Sequence, residues 1–467
     1  MDFFSVLSMI GGLALFLYGM HVMGDGLSKV SGGKMEKILE SLTSNPLKAV
    51  GLGALVTAVI QSSSATTVMV VGFVNSGIMK LSQAVGVIMG ANIGTTITSW
   101  ILSLSGIQSD SFFIKMFKPT SFSPILAIIG VAFLLFAKSE KKKDIGTIFL
   151  GFAVLMFGME SMSSAVKPLA DVPEFTGILT AFSNPLLGML AGAVLTAVIQ
   201  SSSASVGILQ ALCVTGAVSY SVAIPIILGQ NIGTCVTALL SAIGAKKNAK
   251  RAAMVHLYFN IIGTAVFLVV FYGLHMVLDF QFMGQAANAA GIAVAHSAFN
   301  VFATCILLPF SKGLEKLACI TIRDEKEEND ETEGLQLLDE RFLDKPALAM
   351  EQSRTVANYM ADASRDCMLA ALSLFQEYKG ELEDKIVEDE NKVDKYEDAL
   401  GTYLVKLGQK DMSQKDSRDL SVILHCIGDF ERISDHGVNI MESAKELHDK
   451  GLKFSDKALA ELAVISR

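Results

Sequence analysis

Charge is scarce in the first two thirds of this 467-residue chain. Residues 1–319 hold 18 Lys/Arg and 12 Asp/Glu, whereas residues 320–467 hold 20 and 34. With 51% hydrophobic and 18% charged residues, an ordinary soluble protein of this size is excluded. The net charge of −8 joins an apolar, slightly basic region to an acidic, soluble one. Cysteine is also sparse: Cys213, Cys235, Cys305, Cys319, Cys367 and Cys426 form no CxxC pair, and they read as small apolar fillers in a reducing or membrane setting. No P-loop, H-E-x-x-H or G-x-S-x-G occurs, so nothing points to ATP-driven transport or catalysis, and no enzyme is expected. No cleavable leader is evident, because Asp2 stands where a basic stretch would be and Val6–Val22 lacks a small-residue cleavage pattern.

What is present is apolar length and repetition. Runs long enough to span a bilayer lie near 3–23, 81–104, 119–137, 145–163, 221–243, 254–278 and 287–310. Two further apolar stretches, 46–75 and 185–215, contain serine clusters. Residues 45–99 align with 184–238 at a constant offset of 139, without gaps, with 24 identities in 55 positions. The shared blocks are Asn45-Pro46-Leu47, Thr57–Ala65 (TAVIQSSSA) and Asn92-Ile93-Gly94-Thr95, and the same offset pairs Gly12 with Gly151 and Gly19-Met20 with Gly158-Met159. The best-matched positions are polar, so chance likeness of apolar sequence does not explain the repeat.

Lysine placement sets the expected topology. If each serine stretch is a re-entrant hairpin, each unit has three full spans and the two copies are inverted. With the soluble tail in the cytoplasm, the N-terminus lies outside. The cytoplasmic loops then hold Lys29, Lys34, Lys37, Lys48, Lys80, Lys138, Lys141, Lys142, Lys143, Lys246, Lys247, Lys250, Arg251, Lys312 and Lys316, against Lys115, Lys118 and Lys167 outside. Full spans in place of hairpins would put the Lys138–Lys143 cluster outside. The expected fold is an all-α membrane protein of two inverted repeats, each with a re-entrant helical hairpin, plus a cytoplasmic antiparallel helical bundle. The expected divisions are a membrane part over 1–318 (repeat one about 1–138, repeat two about 144–280, an extra span about 287–310), a charged linker over 319–344 and a bundle over 345–467. The expected location is the cytoplasmic (inner) membrane.

The hairpin tips carry Gln61–Ser64 and Gln200–Ser203. Non-helical backbone at membrane depth is tolerated where it lines a protein or water-filled cavity. The hydroxyls of Ser62, Ser63, Ser64, Ser201, Ser202 and Ser203 can donate to phosphate-like oxygens, helped by helix N-terminal N–H groups. The Gln61 and Gln200 side-chain oxygens can coordinate a hard cation such as sodium. Such a donor–acceptor set suits anion–cation symport, whereas close helix packing is the plainer use of serine in a membrane. Gly90-x-Asn92-x-Gly94-Thr95 and Gly229-x-Asn231-x-Gly233-Thr234 read as broken helices that bring Asn92, Asn231, Thr95, Thr98, Thr234 and Thr237 to the same site, with a glycine packing seam as the alternative. His256-x-x-Phe259-Asn260 and His296-x-x-Phe299-Asn300 form a third echo, read as structural histidines. Glu160 sits near the outer end of its span and reads as interfacial.

In the tail, helices are expected near 346–378, 381–408 and 413–449, with another beginning at about 455, punctuated by Gly380, Gly408 and Gly451. Glu390–Asp394 and Glu431–Asp435 are E-x-x-x-D pairs on single helix faces, with a solvated acidic face as the plain reading and a shared cation as the other.

The paired QSSS motifs and their G-x-N-x-G-T echoes resemble the sodium/phosphate cotransporter family related to the animal type II carriers, over about 1–315. The resemblance implies that inorganic phosphate meets Ser62–Ser64 and Ser201–Ser203, that sodium is the coupling ion, bound with help from Gln61, Gln200 and nearby Thr and Asn residues, and that a homodimer forms. Asp429-Phe-Glu431-Arg432-Ile-Ser-Asp435-His436-Gly-Val-Asn439 is similar to the signature of the PhoU family of helical bundles. That likeness implies phosphate-signalling partners for the tail and a divalent or transition metal at Glu390, Asp394, Glu431 and Asp435. PhoU proteins have two bundles, and the second has no counterpart before Arg467. The competing functional reading is a membrane phosphate sensor or scaffold signalling through the tail. A sensor needs one site and not two half-sites, so the duplication favours transport.

Overall fold

The computed structural model describes residues 3–31, 45–75, 79–104, 119–168, 172, 177, 181–243, 245–323, 334–343, 346–375, 377–410, 412–452, 454, 455, 457, 458 and 461. Lys34, Lys37, Lys115, Lys118, the run 324–333 and most of the expected fourth tail helix lie outside them. The described residues form helices and contain no strand, only an isolated bridge between Ser219 and Ala286. The chain divides into two compact units, Met1–Glu325 and Lys326–Arg467.

In the first unit the helices are α1 (Phe3–Ser31), α2 (Pro46–Ile60), α3 (Ser63–Asn75), α4 (Leu81–Ser103), α5 (Pro119–Phe136), α6 (Glu140–Val166), α7 (Pro185–Ile199), α8 (Ser202–Leu212), α9 (Tyr220–Ser241), α10 (Lys247–Leu278), α11 (Ala289–Leu307) and α12 (Ser311–Thr321). Among the described residues six helical stretches are long and apolar enough to cross a membrane: Phe4–Val30, Leu81–Ser103, Glu140–Val166, Tyr220–Ser241, Lys247–Leu278 and Ala289–Thr321. The seventh expected span, α5, is shorter, with 18 residues and Pro124 inside it.

The repeated Asn-Pro-Leu blocks start helices. Asn45 Oδ1 accepts from the Leu47 and Lys48 N–H groups at 2.9 and 3.3 Å, with Pro46 in the first turn. Asn184 does the same for Leu186 and Leu187 beside Pro185. An Asn cap followed by proline suits a helix start because proline has no N–H to orphan.

The glycines build two seams. A Cβ on Gly53 would lie 2.1 Å from the Val87 carbonyl oxygen, and one on Gly90 would lie 2.0 Å from that of Val50. At an offset of 139 the same contacts recur: Gly192 meets Ile226 and Gly229 meets Met189, at 2.1 and 1.8 Å. α4 and α9 run unbroken through Gly90–Thr95 and Gly229–Thr234. The expected helix break at these motifs is therefore corrected. The glycines bring α4 against α2 and α9 against α7, and the neighbouring helix covers the backbone that a break would expose.

α1 and α6 cross by reciprocal contacts. A Cβ on Gly19 would meet the Leu155 nitrogen and one on Gly158 the Phe16 nitrogen; Gly12 meets Met162 and Gly151 meets Met23. Adding 139 to one member of each pair and subtracting it from the other yields the partner pair. The two helices run antiparallel, since the contact positions rise in α1 as they fall in α6.

In the second unit α13 (Pro346–Ser373), α14 (Gly380–Gly408) and α15 (Gln414–Asp449) all contact one another. Short connections make neighbours antiparallel. Their core includes Cys367, Ala371, Leu374, Ile386, Met441 and Ala444. Gly437 lets Cys367 pack close, for a Cβ there would lie 2.9 Å from the Cys367 sulfur.

Candidate functional site

Each serine motif sits at a break between two helices. α2 ends at Gln61 (φ 60°, ψ 25°) and α7 at Gln200 (φ 59°, ψ 22°), both left-handed. This conformation is uncommon and unfavourable for a residue with a Cβ. Two glutamines holding it at equivalent positions mark the breaks as built features. The helices resume at Ser63 and Ser202. Ser62 Oγ accepts from the Ala65 N–H at 3.1 Å, and Ser201 Oγ from the Ala204 N–H at 3.3 Å. The first serine of each run thus caps the next helix, while the N-termini of α3 and α8 keep the donor groups and positive dipole end that attract an anion.

The two breaks touch. Ser64 Oγ donates to the Gln200 carbonyl oxygen at 3.3 Å across 136 residues. Ser63, Ser202 and Ser203 are buried, Ser62, Ser64 and Ser201 half-buried. Asn92 and Asn231 are buried on α4 and α9, and each Nδ2 donates to the carbonyl four residues earlier, Ile88 at 3.1 Å and Ile227 at 2.9 Å. Thr95 and Thr234 donate likewise to Ala91 and Gln230.

The half-sites differ in their hydrogen bonds, even at positions where the sequence is identical. Thr98 Oγ1 donates to Gln61 Oε1 at 3.0 Å in a buried pair. Its counterpart Thr237 has a buried hydroxyl without a partner, and Gln200 is exposed. Thr57 Oγ1 bonds Thr66 Oγ1 at 3.0 Å, whereas the counterparts Thr196 and Ser205 both keep unpartnered hydroxyls. These groups are bonded to one another in half-site one, while their counterparts in half-site two keep buried oxygens without partners.

Two ties were not legible in the sequence. Ser99 Oγ lies 2.8 Å from His296 Nδ1, and Gln210 Nε2 donates to the carbonyls of Ser99 and Ala289 at 3.0 and 2.9 Å. Only the His-x-x-Phe-Asn echo hinted at them. The reading of His256 and His296 as satisfied histidines is corrected in part: both are buried, and each keeps one ring nitrogen without a partner. Glu160 is exposed.

In the tail, Glu390 and Asp394 on α14 and Glu431 and Asp435 on α15 come together. Partial burial, then the charges of Asp394 and Asp435, raise the Glu390 carboxyl above its ordinary range. Burial, then Asp435, raise Asp394 and Glu431 as well. Among the described residues, however, no group of three or more His, Cys, Asp or Glu is arranged to hold a metal ion. The four expected metal ligands stand together as a crowded acidic face.

Residues 15–164 and 154–295 each match the Na+/Pi-cotransporter family, and residues 358–444 match the PhoU domain. The chain is 32% identical to an uncharacterized protein, YqeW, of Bacillus subtilis over 55% of this chain and 79% of that one. It is 26% identical to the "Putative inorganic phosphate export protein YjbB" of Escherichia coli, over 98% of this chain and 81% of that one. It is 27% identical to sodium-dependent phosphate transport protein 2A of Rattus norvegicus, over 41% of this chain and 29% of that one. No solved structure matches the chain significantly. With both repeats covered by the family match and a PhoU domain behind them, the chain belongs to the Na+/Pi-cotransporter family.

Proposed function

We propose that this protein is a secondary transporter that moves inorganic phosphate across the cytoplasmic membrane with sodium, by alternating access. The observation that carries the reading is the contact of Ser64 with Gln200, which joins the two copies of one motif into a single locus. Phosphate oxygens take the serine hydroxyls and the N–H groups at the starts of α3 and α8, with Asn92 and Asn231 beside them. Sodium takes oxygens of Gln61, Gln200, Thr95, Thr98, Thr234 and Thr237. The unpartnered Thr237 hydroxyl supports repeat two as the half that is open to a ligand.

The reciprocal, antiparallel crossing of α1 and α6 supports inversion of the repeats. A two-fold axis relating antiparallel helices runs perpendicular to them, so for spanning helices it lies in the membrane plane. The helix–break–helix units α2–α3 and α7–α8 then serve as hairpins entered from opposite faces. The N-terminus faces outward and the PhoU domain, from about 345 onward, faces the cytoplasm. One relative is named for phosphate export and another for sodium-dependent phosphate transport; in a coupled carrier the gradients set the direction.

The test is phosphate uptake by the purified protein in liposomes. An inward sodium gradient should accelerate it, and Ser64→Ala and Ser203→Ala should each raise the phosphate concentration needed for half-maximal uptake. Uptake indifferent to the gradient would remove sodium coupling; unchanged half-saturation in both variants would remove the serine site.

A further inference from the structure

α10 and α11 carry the same polar stripe. His256, Asn260 and Thr264 follow one another at four-residue steps on α10, and His296, Asn300 and Thr304 do so on α11. All six are at most 4% exposed. Asn260 Nδ2 donates to the His256 carbonyl at 3.0 Å and Asn300 Nδ2 to that of His296 at 2.9 Å. That leaves Asn260 Oδ1, Asn300 Oδ1, Thr264 Oγ1, Thr304 Oγ1, His256 Nδ1 and His296 Nε2 buried without partners.

The helices are antiparallel. A Cβ on Gly263 would lie 3.0 Å from that of Ala303, and Phe267 packs on Phe299 with ring centroids 5.5 Å apart. Thr264 and Thr304 each adjoin the Gly263–Ala303 contact in sequence. The stripes therefore meet at their threonines, and the combined order is His256, Asn260, Thr264, Thr304, Asn300, His296. Four residues of helix rise about 6 Å. Two hydrogen bonds of about 2.8 Å through one water cover that step. Buried polar atoms in apolar surroundings need partners, and internal water is the usual one. Each end of the series has an imidazole, which can take a proton on one nitrogen and release one from the other. At one end the chain of groups continues to Ser99 through His296 Nδ1. At the other, Cys235 lies beside Asn260, and Arg251 is held by Asn248 and the Ile322 carbonyl.

We propose that α10 and α11 hold a single file of water between them and pass protons along it, apart from the serine-lined site. A proton taken up at one terminal histidine is matched by one released at the other, and the waters and hydroxyls reorient to reset the file; no electrons move. The inference rests on the reading of α10 and α11 as spanning helices and is independent of the transported anion.

The test uses the full chain in liposomes that enclose a pH-sensitive dye. A potassium diffusion potential is imposed without phosphate or sodium. The wild type should change the interior pH several-fold faster than protein-free liposomes. T264V/T304V should lose that flux and keep sodium-driven phosphate uptake, while T264S/T304S should conduct as the wild type does. Wild-type flux at the protein-free rate overturns the proposal, as does a valine variant that conducts fully. Should the valine variant also lose phosphate uptake, the serine variant decides: proton flux in it supports the file and silence overturns it. Proton flux without any phosphate uptake would sink the transporter reading and leave this one standing.

Discussion

Thr98 and Thr237 occupy the same place in two copies of one motif, yet one is bonded to a glutamine and the other to nothing. Thr98→Val would strand Gln61 Oε1 and should lower folding stability by about 1–3 kcal/mol. Thr237→Val removes an orphaned hydroxyl at nearly constant volume, so thermal unfolding in detergent should hold or rise while the sodium requirement of uptake increases. Equal destabilisation by the two variants would count against the asymmetry. Gln200→Gly should relieve about 1 kcal/mol of left-handed strain and still impair transport, because the variant keeps the backbone and loses the side-chain oxygen proposed to bind sodium. None of this was legible beforehand: identical residues at identical spacing gave no hint that their hydrogen bonds differ, since that depends on helices far apart in the chain.

Among the elements, the helices were mostly legible and the role of their glycines was not. The Asn-Pro starts, the serine breaks and the three tail helices follow from local rules of capping and periodicity. The G-x-N-x-G-T segments misled, because glycine both weakens a helix and admits a neighbour, and only the packing partner decides. The seams give a sharp contrast. Gly229→Ala would place its Cβ 1.8 Å from a backbone oxygen and should cost about 3 kcal/mol or more, seen as loss of folded protein after solubilisation. Gly51→Ala, with nothing within 4 Å of the added atom, should leave stability unchanged or raise it by about 0.5–1 kcal/mol.

For the whole molecule, the contrast between an apolar first unit and an acidic second one bears on pH. Glu390, Asp394 and Glu431 have carboxyls raised by burial and by neighbouring carboxylates, Asp435 above all. A raised carboxyl favours the protonated folded form, so its contribution is fully present below the ordinary carboxylate range and is lost as pH rises through the raised value. The second unit should therefore gain stability on acidification from neutral pH toward the carboxylate range. Asp435→Asn should slow hydrogen exchange over 380–449 in the full chain at neutral pH, and the difference should vanish in acid. An unchanged or faster exchange at neutral pH would contradict the crowding.

The reciprocal crossing of α1 and α6 also bears on ancestry and assembly. A Cβ on Gly207 would come within 2.5 Å of the Phe16 ring, which fills the space glycine leaves. The place equivalent to Gly207 in the first copy is Val68, and the place equivalent to Phe16 in the second is Leu155. Two molecules of the first half, joined as the halves are joined here, would set Phe16 against Val68 twice over. The duplicated halves form a matched pair, large against small on one side only, so the first half is no longer a workable partner for itself.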